Sequence, residues 1–258
     1  MTEMIQDSAL SRCTSEARSC AVVVGASSGI GRELALQLLE QGWRLGVCCR
    51  RLDRLRELAD RYPGQVEVEA LDVCQAGADR ILYRLMGRMR RVDVFYLVSG
   101  IGAQNPQLES EIELQTVSTN AEGFTRMVTA AFRYFESAGS GHIVVVSSIA
   151  GTRGLGVAPA YSATKRFQNV YIEALQQLAH MRRLPIRFTD VRPGFVSTDL
   201  LRQGRYPCQM SPRQVARIIV RAVRRRREVV VIDWRYAIVT FLWHLIPRWI
   251  WVRISVHN

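Results

Sequence analysis

The sequence predicts one doubly wound α/β domain, with helices on both faces of a mostly parallel seven-stranded sheet. Three observations lead there. Short apolar runs rich in β-branched residues alternate with amphipathic segments of helical length along the whole chain. Several of those runs have no polar alternate, as strands covered on both faces do not. A chain of 258 residues, 48% of them apolar and 22% charged, is also long enough for one large core. Its 18 glycines and 8 prolines exclude a fibrous or low-complexity chain, and no linker or repeat divides it.

The elements follow in order. Cys20-Ala-Val-Val-Val-Gly25 is the first strand, and a helix over 30–41 places Ile30, Leu34 and Leu38 on one face. The apolar run 43–49 is a second strand, followed by a charged helix over 52–61. Val66, Val68 and Ala70 alternate as a third strand, and Ile81, Leu82, Leu85 and Met89 are spaced as a helix. Strands are predicted at 92–98, 142–147, 186–191 and 229–232, and helices at 117–135, 160–181 and 214–223. Residues 1–19 are expected to be a flexible arm, 20–233 the domain, and 234–258 an apolar, basic tail.

The net charge of +12 is unevenly placed: from residue 201 onward twelve arginines face two acids, Glu228 and Asp233. Of the 35 basic residues one is a lysine, Lys165. A chain that uses arginine wherever charge suffices points to that position as one needing an ammonium, with chance survival as the competing explanation. The six cysteines form no CxxC pair, which fits reduced thiols and a cytoplasmic setting. Cys48 and Cys49 fall in a predicted strand and are expected to pack as small apolar residues. Residues 1–19 carry Glu3, Asp7 and Glu16 and have no continuous apolar stretch, so no secretory signal is expected there. His142, His180, His244 and His257 are scattered, so no metal site is expected. No zinc finger, RNP pattern or helix-turn-helix points to nucleic acid.

Gly25-Ala26-Ser27-Ser28-Gly29-Ile30-Gly31 lies between the first strand and the first helix. Glycines there permit a tight turn and let backbone N–H groups approach a pyrophosphate, while the helix N-terminus favours its charge. Glycine turns are common, and the strand–turn–helix context is what makes this one informative. About twenty residues on, an NAD site would place an acid for the ribose 2′-hydroxyl. Here the stretch reads Val47-Cys48-Cys49-Arg50-Arg51. Two guanidiniums suit a 2′-phosphate and favour NADP(H). Arginine abundance explains their presence equally well, but not the missing acid.

Tyr161-Ser-Ala-Thr-Lys165 lies inside a predicted helix, where the i,i+4 spacing puts phenol and ammonium on one face. A free tyrosine has a pKa near ~10, and a neighbouring cation favours its phenolate. Ser148 follows the predicted strand 142–147, at the edge where ligands usually bind. Taken alone, a YxxxK pattern is more often a surface pair than a catalytic one.

Together these motifs resemble the short-chain dehydrogenase/reductase family over about residues 20–200, and imply its Rossmann fold with strand order 3-2-1-4-5-6-7. Gly25-xxx-Gly29-Ile-Gly31 matches the family's cofactor turn, with Ser27, Ser28 and Ile30 as its further contacts, and Asp72-Val73 matches the position that holds adenine. Asn120, Ser148, Tyr161 and Lys165 match the catalytic tetrad. Pro193-Gly194-Phe-Val196-Ser-Thr198 matches the turn beside the nicotinamide. The resemblance implies that Tyr161 passes a proton to or from the substrate oxygen and Ser148 holds that oxygen. Lys165 would lower the tyrosine pKa and bind the ribose, and Asn120 would support a water in the proton relay. Two positions depart from the pattern. Val24 replaces a threonine, and Leu97-Val98-Ser99-Gly100 replaces an Asn-Asn-Ala-Gly segment that braces the central strand, with Ser99 and Gly100 left to meet the cofactor. Dimerisation through the helices at 120–135 and 161–181 is a family expectation.

The reaction implied is interconversion of a carbonyl and an alcohol, leaning towards reduction. The alternative is a nucleotide sensor or scaffold on the same fold. Ile149, Leu155, Val157 and Pro159, with Leu200, Leu201, Tyr206 and Met210 above them, suggest an apolar or lipid-like substrate. In the tail, residues 236–246 have Thr240 and His244 as their polar members. Eleven helical residues reach about 17 Å, short of the ~30 Å hydrocarbon core, so no transmembrane span is expected. Two readings stay open for it: a last helix buried against the sheet, or a peripheral anchor on the membrane surface.

Overall fold

The computed structural model describes residues 19–198, 206 and 208–256. Nearly all of the expected N-terminal arm, and Leu200 and Leu201, lie outside the described residues. The seven strands are β1 (Cys20–Val24), β2 (Arg44–Cys49), β3 (Val66–Ala70), β4 (Val94–Leu97), β5 (Gly141–Val146), β6 (Ile186–Arg192) and β7 (Val229–Val231). They form one sheet in the order β3-β2-β1-β4-β5-β6-β7, and every pairing is parallel. The sheet expected as mostly parallel is wholly so, because each strand returns through a helix.

Among the described residues nine α-helices connect or follow the strands: α1 (Gly29–Glu40), α2 (Asp53–Arg61), α3 (Ala78–Arg88), α4 (Ser110–Val117), α5 (Phe124–Ala138), α6 (Pro159–Met181), α7 (Pro212–Arg224), α8 (Trp234–Leu245) and α9 (Arg248–Trp251). Strand residues alternate between two cores. Val22, Phe95, Ile143 and Val145 face α3, α5 and α6, whereas Val23, Tyr96 and Val144 face α1, α2 and α7. The edge strand β3 alternates valine with glutamate, and Glu67 and Glu69 pair with Arg44, Arg84 and Arg88. Charge on an edge strand discourages further pairing.

The helix expected over 117–135 begins earlier, at Ser110, and is interrupted by a π-helical turn over Ser118–Gly123. Residues 110–117 carry little apolar periodicity, and Thr116 is the one buried residue of α4, so the spacing alone did not mark them as helix. In the tail, Pro247 separates α8 from α9. Among the described residues no helix is long and apolar enough to cross a membrane. The run Arg224–Arg227 lies at the end of α7, before β7, whereas α8 begins after β7. The arginine run and the apolar tail therefore lie at opposite ends of β7, and so at opposite ends of the parallel strands.

Candidate active site

The glycine turn closes the C-terminal end of β1. Gly25 has φ +96°, and its N–H donates to Cys48 O at 2.8 Å, tying the turn to the end of β2. A Cβ on Gly25 would lie 2.6 Å from Ser99 N, and one on Gly31 would lie 2.1 Å from Gly25 O. These positions exclude any larger residue. Ser28 caps α1 with extended backbone and makes no side-chain cap bond, so the first amides of α1 have no capping side chain. That leaves polarised N–H groups at the crevice, the arrangement an anion needs. Ser27, Ser28 and Ile30 are half-buried around the same opening. Thr198 approaches from the opposite side, its Cγ2 at 3.0 Å from where a Cβ on Gly29 would be. Pro193, Gly194 and Val196 lead to it from β6, and Val196 bridges Met210.

At the other end, Asp72 follows β3 and accepts from Cys74 N at 3.0 Å. The Val73 side chain is wedged against Gly123 of the π-helical turn, where a Cβ would come within 2.7 Å. Arg50 and Arg51 are exposed just after β2, and neither guanidinium has a hydrogen bond or ion pair among the described residues. Ser99 N donates to Val24 O at 3.0 Å. Its hydroxyl does not recover the missing asparagine bonding: Ser99 Oγ is buried with no partner among the described residues. The glycine cradle, the uncapped α1 and this orphaned hydroxyl form a surface that a dinucleotide fits.

The four chemical residues converge beside that cradle. Ser148 ends β5; its Oγ accepts from Ala150 N at 3.1 Å and donates to Pro193 O at 3.4 Å. Tyr161, near the start of α6, has the Ser148 side chain close enough to favour its phenolate, and Gly102 makes room for its ring, since a Cβ there would come within 2.6 Å. Lys165 is 4% exposed and lies one turn further along α6, with Nζ 5.7 Å from the Tyr161 ring centre. It donates to Val146 O at 3.2 Å and Gln168 Oε1 at 3.1 Å. Burial lowers its pKa to about 8, and the nearby Asp190 opposes that shift.

The Tyr161 pKa is raised rather than lowered. Burial raises it, and the Ser148 side chain works in the other direction. The ammonium bonds Val146 and Gln168, not the phenol, so the depression expected from Lys165 is not present in this arrangement.

Asn120 sits in the π-helical turn and is fully buried. Its Nδ2 donates to Ile101 O at 2.7 Å and its Oδ1 accepts from Ile101 N at 2.9 Å, clamping the segment after β4. Its main-chain O accepts from Gln168 Nε2 at 2.8 Å. Gln168 therefore joins Lys165 to Asn120 through one side-chain amide, where the resemblance implied a water. Sequence reasoning missed Gln168, although its position three residues after Lys165 was the available signal. It also missed the buried group behind it: Asp190 accepts from Asn169 Nδ2 at 2.8 Å, from Arg192 Nε at 2.7 Å and from Ser147 Oγ.

The apolar wall comes from two places. Leu155 and Val157, from the expected wall, pack with the Tyr161 ring. The rest comes from the tail, which contributes Trp243, Ile246 and Trp251 to the same cluster. Tyr206 stacks on Phe195 at 4.6 Å.

A model of the short chain dehydrogenase family matches residues 19–207. An uncharacterized oxidoreductase of Myxococcus xanthus is 31% identical, covering 88% of this chain and 92% of its own. An alcohol dehydrogenase from the archaeon Thermococcus sibiricus, solved with 5-hydroxy-NADP, is 25% identical, with TM-score 0.73 over 83% of this chain and 96% of its own. A Burkholderia phymatum family member solved with NAD is similar in fold, with TM-score 0.80 at 18% identity over 93% of this chain and 97% of its own. The match over most of the chain, on the fold and site geometry described, makes this chain an oxidoreductase of the short-chain dehydrogenase/reductase family.

Proposed function

We propose that this chain is an NADP(H)-dependent enzyme that reduces the carbonyl of an apolar substrate to an alcohol. The observation that carries the reading is the convergence of Ser148, Tyr161, Lys165 and Asn120 at the strand edge beside the glycine cradle. When bound, the cofactor's nicotinamide supplies the hydride. The protein's residues supply position and proton. Ser148 orients the substrate oxygen by hydrogen bonding. Tyr161 then donates its phenolic proton, and its raised pKa favours this direction because the phenol stays protonated at neutral pH. Lys165 Nζ, 5.7 Å from the ring centre, would stabilise the phenolate left behind only on leaving Val146 O and Gln168 Oε1, and Leu155, Val157 and Trp251 keep water away. The Thermococcus relative's 5-hydroxy-NADP and the unpaired Arg50 and Arg51 support the choice of NADP(H).

Two experiments test this. Tyr161→Phe should lower turnover at least 1,000-fold while leaving NADPH affinity within threefold; a fully active variant would refute the mechanism. Replacing Arg50 and Arg51 with alanine should weaken NADPH at least tenfold more than NADH. Equal losses would show that neither arginine reads the 2′-phosphate. A nucleotide sensor without turnover is the second reading, favoured by the orphaned Ser99 hydroxyl in the altered segment after β4. NADPH binding by fluorescence titration, with no turnover across a carbonyl panel, would select it.

Exposed Phe167 and Val170 on α6 support a homodimer through that helix, with exposed Leu114 and Val117 of α4, rather than residues of the expected 120–135 helix, as the apolar neighbours. The membrane contact expected of the tail depends on another part of the molecule, the outer face of α8 and α9.

A further inference from the structure

The tail is neither simply buried nor detached. Its inner face is built into the site. The Tyr236 ring lies where a Cβ on Gly194 would be 2.1 Å away, so the turn after β6 and the start of α8 fit closely only because residue 194 is glycine. Trp243 and Trp251 meet edge-to-face at 5.2 Å and pack with Leu155 and the Tyr161 ring. Arg153 donates to the carbonyls of Trp243, His244 and Ile246 at 3.0, 3.1 and 2.6 Å, satisfying the C-terminal end of α8. Trp251 Nε1 donates to Gly154 O at 2.9 Å.

The outer face is the reverse. Trp234, Ile238, Phe241, Leu242 and Leu245 are 50% to 72% exposed. Their spacing puts them on one stripe along the whole of α8. Trp249 and Val252 extend it past Pro247, each about two-thirds exposed. Single exposed apolar residues are ordinary, but a continuous stripe of seven marks an interaction surface. Arg248 and Arg253 accompany it with no ion-pair partner among the described residues, whereas Arg235 is paired with Asp233, the residue that caps α8. The arginine run at 224–227 contributes nothing here, since it lies at the opposite end of the strands. A second copy placed on this face would bring Arg248 and Arg253 against arginines, because the acid at the start of α8, Asp233, is already held by Arg235. An anionic surface neutralises them, and tryptophans at such a boundary are stable with an apolar body and a polar edge.

We propose that the outer face of α8 and α9 docks on an anionic phospholipid membrane, so that an apolar substrate passes from the bilayer along the tail to Tyr161. The route rests on the reductase reading, because one pair of short helices contributes both the wet stripe and the wall beside the catalytic tyrosine. The docking itself does not depend on turnover.

The full chain is tested by sedimentation with vesicles of phosphatidylcholine alone, or with 30% phosphatidylglycerol. Binding should be at least tenfold greater to the anionic vesicles and should fall in high salt. The double variant Phe241→Ser/Leu245→Ser replaces exposed side chains only and should lose at least tenfold in binding. Its circular dichroism and its turnover of a short, water-soluble carbonyl should match the parent, while turnover of a long-chain carbonyl held in vesicles should fall in proportion to binding. Absence of anionic vesicle binding, or binding that the double variant retains, overturns the proposal. So does an ultracentrifuge result in which the parent ignores vesicles and the double variant turns a dimer into a monomer, which assigns the face to a second copy. Vesicle binding by a parent that reduces no carbonyl upholds the docking and refutes the reductase reading instead.

Discussion

Lys165 is expected to cost the cofactor-free protein stability, and the cost has a defined pH window. Its pKa is about 8 in the fold against an ordinary 10.5. Below pH 8 both folded and unfolded chains hold the proton, and the desolvated ammonium weighs fully against folding. Between 8 and 10.5 the unfolded chain binds more protons than the folded one, so stability rises with pH. The complete window corresponds to about 3 kcal/mol, and the part between pH 7 and 9.5 to about 2 kcal/mol. Lys165→Met removes the titrating group and keeps an unbranched side chain of similar length. Urea denaturation of both proteins at pH 7 and 9.5 isolates the effect, since every other group is common to the two. The parent should gain about 2 kcal/mol more than the variant over that interval. Equal gains would show that Lys165 is not desolvated as its surroundings imply. The variant should also lose turnover, so the residue that strains the fold is the one the chemistry needs.

Gln168→Leu removes one acceptor of the Lys165 ammonium and the donor to Asn120 O, costing about 2 kcal/mol of stability. With one acceptor fewer the Lys165 pKa falls further, so the alkaline limb of the kcat profile should move to lower pH and Gln168→Glu should move it back; an unchanged profile in both would make Gln168 a packing residue only. Gly31→Ala puts a Cβ 2.1 Å from Gly25 O, and should weaken NADPH at least tenfold by fluorescence titration, with a stability loss of about 1–3 kcal/mol; wild-type affinity would show that the turn can open at no cost.

The fold was legible because its signals are local. Uninterrupted apolar strands such as β1 and β5, separated by amphipathic helices, specify a two-face-covered parallel sheet, and the family resemblance supplied the strand order. The glycine turn and the Tyr161–Lys165 pair were visible for the same reason, since each lies within seven consecutive residues. Contacts across the chain were not. Asp190 meets Ser147 and Asn169 from 43 and 21 residues away, and nothing in the local pattern pairs them. Helix α4 was missed because its residues are too polar to show a buried stripe. The tail illustrates a further limit. Composition joined its apolar residues to the arginine run, but three residues of β7 carry the chain from one end of the strands to the other, and the two features part company. Composition also posed burial and surface contact as rivals, whereas a helix can present a different face to each.

The altered segment after β4 shows how a site can keep its geometry while changing what holds it. The family pattern places asparagine side chains there as a brace. Here Val98 and Ser99 both donate their amides to Val24 O, at 2.9 and 3.0 Å, so one carbonyl of the central strand carries two bonds. The space beside it is closed to larger residues, because Gly25 already packs against Ser99 N. What remains of the brace comes from the other direction. Asn120 clamps Ile101 through both atoms of its amide, and its own carbonyl is held by Gln168, which in turn holds Lys165. A π-helical turn is what places that asparagine, and such insertions commonly mark functional positions because they re-aim side chains that a regular helix would point elsewhere. The segment after β4 and Lys165 are thus coupled through two buried residues, Asn120 and Gln168. Where the family pattern braces this segment with asparagines of its own, this chain braces it with Asn120, the same residue that the proposed mechanism places in the site.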